Sequence, residues 1–259
     1  MTYWHWLAGL SLAFVILERV FPRARAQGLM RPGLFTDLFY LVFNGHFLGV
    51  LLALASTPLA SFLDRALAAR GLEIHLAVAA AWPWWLQLIV AFVAIDFVQW
   101  SIHNLLHRVP WLWELHKVHH SITHMDFWGS LRFHFGEIIV YKSLQYVPLA
   151  LLGFDGTALF VIAVVSTAIG HFNHANLRVR MGPLRYVLNG PEMHVWHHAH
   201  PSVGPINVNF AINLAIWDWL FGTAYLPAQA GPPTRLGFDE IERFPRDPLR
   251  QELWPLSGT

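Results

Sequence analysis

Histidine is the residue type whose spacing in this sequence indicates chemistry. The chain of 259 residues contains 16 histidines, as many as its aspartates and glutamates together. Ten of them form four short groups, spaced H-x3-H, H-x2-HH, H-x2-H and H-x2-HH: His103, His107, His116, His119, His120, His171, His174, His194, His197 and His198. On a helix, residues three or four positions apart share a face, so each group directs two or three imidazoles to one place.

Imidazoles arranged in this way are typical of a metal site. Neutral imidazole binds iron, zinc, copper and nickel, and one first-row ion takes about four to six ligands. Ten histidines exceed the needs of one ion, so we predict two ions that share one site. A lone histidine on an apolar face is more often an ordinary core residue. His5, His46 and His75 lie outside the groups and are therefore predicted to have no role in the site.

Polar residues near the groups are candidates for orienting the metal ligands. A metal-bound imidazole usually donates its second N–H to a carboxylate or a carbonyl. The candidate carboxylates, each with an ion pair or a helix cap as its alternative role, are Asp96, Glu114, Glu137, Glu192 and Asp218. Asp96 is the strongest, because it lies about two helical turns before His103 in an apolar segment, where a carboxylate needs a donor. His124, His134 and His200 are assigned to this outer layer or to a substrate-facing position.

The composition indicates a membrane protein. Hydrophobic residues make up 55% of the chain and charged residues 13%, and the mean hydropathy is +0.42. The formal net charge of +1 provides no basic surface for a phosphate backbone, so no nucleic acid partner is expected. The sequence has no cysteine, which excludes a disulfide scaffold, a thiolate metal site and a catalytic cysteine.

Long apolar runs predict the helices that carry the histidines. About 20 residues suffice to cross a bilayer. Three runs reach this length, at 3–21, 35–62 and 84–102. Residues 63–83 are predicted to form an outer loop with an interfacial segment. Of the 17 lysines and arginines, only Arg65 and Arg70 fall on that side, so the positive-inside rule predicts a cytoplasmic catalytic face.

Two shorter apolar runs predict a helical hairpin. They cover residues 137–152 and 157–171 and are joined by the turn-forming sequence Gly-Phe-Asp-Gly at 153–156. The runs are short enough that the hairpin crosses the membrane either fully or in part. Its second helix would bring the third histidine group to the same membrane face as the others.

We predict one membrane domain over residues 1–259. Its fold class is an all-α integral-membrane helix bundle, with about three full spans plus the hairpin and a cytoplasmic helical cap that carries the histidine boxes. In order, its predicted parts are the N-terminal transmembrane helices at 1–102, the first two histidine groups at 103–136, the hairpin ending in the third group at 137–174, and the cap with the last group and an irregular C-terminal tail at 175–259.

The absence of other enzyme motifs narrows the chemistry. The sequence contains no H-E-x-x-H, no Glu-x-x-His pair of a carboxylate-bridged di-iron bundle, no G-x-S-x-G and no phosphate-binding glycine loop. Oxygen-activating metal chemistry is the strongest remaining enzyme class. Two adjacent irons can use electrons from a donor and O2 to attack an unactivated C–H bond. At the junction of a membrane helix with the cytoplasm, the substrate of such a site would be a lipid.

The groups His103-Asn-Leu-Leu-His107, His116-Lys-Val-His119-His120 and His194-Val-Trp-His197-His198 resemble the histidine boxes of the fatty acid hydroxylase and sterol desaturase superfamily of membrane di-iron enzymes. After the second box, the family pattern is matched by Ser121, Met125, Arg132, His134 and Glu137. Asn209 and the run Ile216–Thr223 are similar to the family's closing motif. The resemblance covers roughly residues 92–226 and departs at Asp126, Phe135 and Ala211, where the family often has Asn, Pro and Gly.

The resemblance implies that the ten histidines bind two iron ions, with O2 as co-substrate, and places Arg132, His134, Glu137, Asn209 and Asp218 near the site. Zinc can replace iron in purified protein, because zinc has the higher affinity for such ligands. The sequence has no His-Pro-Gly-Gly haem motif, so electrons are expected from a separate ferredoxin, cytochrome or flavin reductase.

We therefore predict O2-dependent hydroxylation of a lipid alkyl or acyl chain or of a sterol. Desaturation of such a substrate at the same site is the alternative reaction. A histidine-lined metal transporter is an alternative from another class, and it would need ligands spread along the membrane depth. A bis-His haem protein is a third, and it would need a few single histidines on facing helices.

Overall fold

The apolar runs of the sequence form helices. The structure is a computed structural model that describes residues 2–49, 51, 54, 62, 65–71, 78–227 and 231–256. Its α-helices are α1 (Tyr3–Val20), α2 (Leu34–Val42), α3 (Trp84–Arg108), α4 (Pro110–His120), α5 (Phe135–Leu151), α6 (Gly156–His174), α7 (Pro191–His197), α8 (Ile216–Leu220) and α9 (Pro248–Glu252). A π-helical turn follows α2 at Phe43–Phe47, and 3-10 turns lie at Phe127–Leu131, Gly182–Tyr186 and Ile241–Arg243. These described residues contain isolated backbone bridges but no strand, which confirms the all-helical prediction for them.

Two helices of the described residues are long and apolar enough to cross a membrane. They are α3, with 25 residues, and α6, with 19. The first predicted span forms α1, which does not meet the same criterion. Most of the second predicted span after residue 49 lies outside the described residues, as does much of the predicted outer loop. The helices fit a membrane protein, and the total number of crossings stays a prediction.

The hairpin of α5 and α6 lies alongside α3. At one end of the hairpin, the backbone N–H of Asp155 donates to Oε1 of Gln87 in the first turn of α3, at 2.7 Å. The Asp155 side chain also caps α6, and Gly153 in the turn has a φ of +78° that favours glycine. From Gln87 to His103, and from Asp155 to His171, the chain rises about 24 Å at 1.5 Å per residue. The second helix of the hairpin therefore runs over the same length as the part of α3 between Gln87 and His103.

Helix α1 crosses the half of α6 that is nearer to the histidines. Its first residue, Tyr3, bonds the hydroxyl of Thr167 at 2.7 Å. Near its other end, the carboxylate of Glu18 accepts the backbone N–H groups of Phe127 and Asn176, at 3.0 and 2.7 Å. The same carboxylate thus joins the 3-10 turn after α4 to the residues that follow α6.

A buried network of charges fixes the loop that follows α4. Arg31 donates to both Asp37 and Asp126, and Arg132 donates through Nε to Asp37 at 2.7 Å. All four side chains are buried, and their two positive and two negative charges balance. Buried ions require such pairing, because each loses its hydration. The network ties the start of α2 to the chain segment between the second histidine box and α5.

Candidate metal centre

Nine of the ten grouped histidines converge in two adjacent clusters. The first cluster contains His103, His107, His116, His120 and His197, and the second contains His119, His174, His194 and His198. Within each cluster, one ring nitrogen of every imidazole lies within 4.8 Å of those of the others. All nine rings are buried except that of His107, which is half-buried. The structure thus brings residues from α3, α4, α6 and α7 to one place.

The H-x2-HH spacing divides each box between the two clusters. Successive helix residues point about 100° apart, so the two neighbouring histidines of a box face different directions. In α4, His116 and His120 lie one turn apart and belong to the first cluster, whereas His119 belongs to the second. The box at α7 has the opposite division, with only His197 in the first cluster. Two boxes of the same pattern therefore supply both clusters.

Five of the nine rings have a hydrogen-bond acceptor at Nδ1. The pairs are His103 with the carbonyl of Phe210 (2.7 Å), His116 with Oε1 of Glu137 (3.0 Å), His119 with the carbonyl of Arg132 (3.1 Å), His174 with the carbonyl of Gly170 (2.9 Å) and His197 with the carbonyl of Val208 (2.8 Å). A carbonyl oxygen only accepts, so Nδ1 carries the proton in the four rings that bond carbonyls. In a neutral ring, Nε2 then has a free lone pair.

These lone pairs face one another, which is the arrangement a metal ion requires. The Nε2 atoms of His103 and His116 lie 3.1 Å apart, and those of His119 and His174 lie 3.3 Å apart. In the pair of His119 and His174, both Nδ1 protons are donated to carbonyls, so no proton lies between the two Nε2 atoms. Imidazole nitrogens that each lie about 2.0–2.1 Å from one ion are separated by roughly 3 Å. The donor set therefore fits a cation in each cluster.

Protonation of the clusters is suppressed. Burial, together with the neighbouring imidazoles, lowers the pKa far below its usual range for the cluster histidines of α4 and of the α7 box: His116, His119, His120, His194, His197 and His198. The neutral imidazole is the form that binds metals. These ligands are therefore ready to bind an ion at neutral pH.

Of the candidate carboxylates, Glu137 contacts a cluster ring directly. Its Oε1 accepts from His116, while its buried Oε2 has no partner among the described residues. Glu114 instead pairs with Lys117 at 2.6 Å, and Glu192 accepts the backbone N–H of Met181 at 3.1 Å. Glu114 therefore forms an ion pair, which was its alternative role, and Glu192 forms a hydrogen bond to the backbone.

Among the described residues, the donors to Asp96 are backbone N–H groups, a side-chain amide and an indole, and not the imidazole that was predicted. Its carboxylate accepts the backbone N–H groups of Asn213 and Leu214, both at 3.0 Å, and the indole N–H of Trp217 at 2.8 Å. The carboxylate does find the donors that its burial requires, but they come from a loop more than one hundred residues later in the chain. Asp96 anchors this returning loop rather than His103.

The loop that begins at Val208 orients the first cluster through its backbone. The carboxylate of Asp218 accepts the backbone N–H of Phe210 at 3.0 Å. The backbone carbonyl of Phe210 accepts in turn from the ring of His103. Asn209, with a φ of +55°, bonds the backbone of Met193 in α7 at 2.8 Å. Asp218 and Asn209 therefore act on the ligands through one intervening residue.

The side chains of the other predicted outer-layer residues bond partners other than the cluster imidazoles. His134 caps α5, because its Nδ1 accepts the N–H of Gly136 at 3.0 Å. His200 accepts the N–H of Ser202 at 3.1 Å, and His124 bonds the neighbouring hydroxyl of Thr123 at 3.1 Å. The guanidinium of Arg132 belongs to the charge network, whereas its carbonyl holds His119.

The three histidines that were predicted to have no role in the site are His5, His46 and His75. His5 bonds Thr2, His46 packs on Trp4, and His75 lies outside the described residues.

His171 is the grouped histidine that lies in neither cluster. Its Nδ1 bonds the hydroxyl of Ser130 at 2.7 Å, and its Nε2 lies 3.4 Å from the hydroxyl of Ser11 in α1. The edge of the ring packs against Phe14, with 5.6 Å between the ring centroids. Packing of α1 against α6 therefore holds this ring away from the metal ligands. We remove His171 from the proposed ligand set.

This assignment predicts different metal contents for two neighbouring substitutions on α6. The His171→Ala variant should keep the full metal content of the wild-type protein, whereas His174→Ala should lose the ion of the second cluster. Metal analysis of the two purified proteins checks the difference. Equal losses in both variants would return His171 to the ligand set.

A cavity of about 340 Å³ reaches the first cluster. Its lining includes His107, His120 and His197 of the cluster, together with the rings of Trp113 and Phe238. A second, apolar cavity of about 90 Å³ lies between α3, α4 and α5 and reaches Glu137. Both cavities approach the first cluster, which therefore has room for a molecule next to His107.

Several groups that form the site carry no sequence signal. The carbonyls of Val208, Phe210 and Gly170 hold three ligands, and any residue type supplies a carbonyl. Trp113 and Phe238, which line the larger cavity, are not distinguished from other aromatic residues by spacing. Their positions follow only from the packing of distant segments.

The described residues thus combine apolar helices with two adjacent histidine clusters, each of which could hold a metal ion. The chain belongs to the fatty acid hydroxylase family, whose model matches residues 88–223. This range agrees with the resemblance seen at roughly 92–226 and contains all nine cluster histidines. No solved structure is significantly similar to the chain.

Relatives of known activity are similar over the same region. The ornithine lipid hydroxylase OlsE of Rhizobium tropici is 34% identical over 146 residues, which cover 56% of this chain and 44% of that protein. The alkylglycerol monooxygenase of Danio rerio is 34% identical over 145 residues, covering 56% of this chain and 31% of that protein. The very-long-chain aldehyde decarbonylase GL1-6 of Oryza sativa subsp. japonica is 25% identical over 159 residues, covering 54% and 24%. The matches thus span less than half of each relative.

Proposed function

We propose that this chain is a membrane-bound, non-haem di-iron oxidoreductase that hydroxylates a lipid. The observation that carries the proposal is the pair of clusters in which imidazole Nε2 atoms face one another, as between His119 and His174 at 3.3 Å, where both Nδ1 atoms donate to carbonyls. Membership of the fatty acid hydroxylase family supports iron as the metal. The first relatives named above act on lipids, which supports a lipid alkyl chain or sterol as the substrate class.

The proposed reaction balances with an external electron donor. Two iron ions, when bound, would supply the O2-dependent oxidation of an unactivated C–H bond. One oxygen atom enters the C–H bond and the other leaves as water, with two electrons and two protons taken up. We assign the electrons to a separate ferredoxin, cytochrome or flavin reductase, because imidazole ligands do not supply electrons.

The larger cavity is our candidate for the substrate position. Its volume of about 340 Å³ lies within the usual range for small-molecule sites, about 300–1,000 Å³. The aromatic walls of Trp113 and Phe238 suit an apolar segment, and His107, His120 and His197 form the side next to the first cluster. Glu137 and the backbone carbonyls fix the orientation of the ligand rings, so that a bound alkyl segment would lie next to ligands of fixed orientation.

The proposed location is a multi-pass membrane protein with its catalytic face in the cytoplasm. Helix α3 and the hairpin bring their histidines to one end, and the charge distribution of the sequence favours the cytoplasmic side for that end. In this arrangement residues 1–102 are membrane helices and 175–259 form the cap. Convergence of the rings in two clusters, rather than along the membrane depth, supports an enzyme over a metal transporter.

Lipid analysis tests the reaction. Cells that produce the wild-type chain should contain a lipid that is heavier by one oxygen atom than its counterpart in cells producing His197→Ala. A loss of two hydrogens instead would assign the desaturase reaction. Identical lipid profiles in the two strains, with both proteins present in the membrane, would contradict the proposed function.

A further inference from the structure

An exposed apolar patch lies within residues 175–259, the part of the chain that the sequence analysis predicts to be a cytoplasmic cap. The 3-10 turn at Gly182–Tyr186 and helix α8 form it together. The exposed members are Leu184, Tyr186, Val187, Trp219, Leu220 and Phe221. The two segments are joined, because the Trp219 ring lies 4.8 Å from that of Tyr186 and its indole N–H donates to the carbonyl of Arg185 at 2.9 Å.

The patch continues the exposed side of α3. Residues one turn apart on this helix, Trp85, Ile89, Val93 and Phe97, are all exposed and apolar. Phe97 ends the row and contacts the chain of α8, with 4.9 Å between its ring and that of Trp217. Since α3 is long and apolar enough to span a membrane, this row is the side that would face lipid there. The apolar surface of this row continues onto α8.

The loop before α8 also contacts both candidate spans, α3 and α6. Asn213 bonds Asp96, which lies about 10 Å along α3 from His103 toward the other end of the helix. The same side chain donates to the hydroxyl of Ser166, about 12 Å along α6 from His174. Residues on both candidate spans thus hold this loop at a position about 10–12 Å from the metal ligands, toward the opposite ends of the two helices.

From these observations we infer that the patch is embedded in the interfacial layer of the bilayer, with lipid as its partner. Tryptophan and tyrosine favour this layer, and an arginine beside them suits the headgroups. Arg185 is half-buried and stacks on Tyr186 with 5.2 Å between the guanidinium and the ring. The cap at 175–259 is then anchored to the membrane at α8 rather than held only by its contacts with the spans. The inference depends on α3 lying in the membrane and not on the proposed reaction.

Site-directed spin labelling tests the inference in the full chain, reconstituted in nanodiscs of phosphatidylcholine and phosphatidylglycerol. The sequence has no cysteine, so each introduced cysteine carries the only label. Leu184→Cys and Leu220→Cys place labels on the patch, at residues that are 58% and 67% exposed and can be replaced without disturbing the core. Ile89→Cys on α3 serves as the reference for lipid. Arg243→Cys, at a side chain that is 75% exposed, serves as the reference for water.

Collision rates with O2, which concentrates in lipid, and with a water-soluble nickel chelate distinguish the outcomes. We expect the labels at 184 and 220 to resemble the label at 89, with high O2 accessibility and little nickel accessibility. Nickel accessibility equal to that at 243 would overturn the inference. Low accessibility to both reagents would also overturn it, in favour of a second copy of the chain covering the patch. Nickel access at 89 would remove its premise about α3.

Discussion

The His197→Ala and His119→Ala variants are expected to lose turnover to the limit of detection, each through the loss of a ligand from a different cluster. His197 belongs to the first cluster and His119 to the second. Neither residue lies in the apolar helices that would insert into the bilayer, so both proteins should still reach the membrane. Activity in membranes, together with the metal content of the purified proteins, measures the effect.

The control for this prediction is His5→Ala. His5 is an exposed residue that bonds Thr2 at the start of α1, far from both clusters. Its substitution should leave turnover and metal content near the wild-type values. If this variant and the two cluster variants behaved alike, the assignment of the ligands would be wrong.

Removing the central carboxylate of the buried charge network should have the largest effect on stability. Asp37 accepts from both Arg31 and Arg132, and Asp37→Asn would leave these two buried cations with only Asp126 to balance them. Breaking a buried ion pair in this way typically costs about 3–5 kcal/mol. Thermal unfolding of the purified protein in detergent measures the loss. Because Arg132 also holds His119 through its carbonyl, metal retention in the second cluster should fall as well.

The matched control replaces one partner of an exposed ion pair. Glu240 and Arg243 are 70% and 75% exposed, and pairs of this kind contribute little to stability. Glu240→Gln should therefore unfold at the wild-type temperature. An Asp37→Asn protein that also unfolded at the wild-type temperature would show that the network has no role in holding the fold together.

Local patterns predicted much of this structure. The apolar runs predicted α3, α5 and α6, because a continuous apolar segment of this length can bury itself only as a helix in a membrane. The Gly153 turn and the Asp155 cap separate the two helices of the hairpin where the sequence indicates a break. The spacing of the histidine groups indicated ten candidate ligands, of which nine lie in the two clusters, since i, i+3 and i, i+4 positions share a face in any helix.

The differences between the predicted and the observed contacts concern distant segments of the chain. His171 has the spacing of a ligand, but Ser130 and α1 hold its ring elsewhere. Asp96 needs a donor for its burial, but the donors come from Asn213, Leu214 and Trp217 rather than from the nearby His103. Helical spacing indicates which residues share a face, and only the packing of the whole chain decides what that face meets.

Metal analysis of active protein tests the central claim most directly. The purified chain, loaded anaerobically with ferrous iron and shown to turn over, should contain two iron ions per chain, because five imidazoles form one cluster and four form the other. Zinc in protein purified without this loading would agree with the account, since zinc binds such ligands more tightly than ferrous iron does. One ion per chain in fully active protein would contradict it.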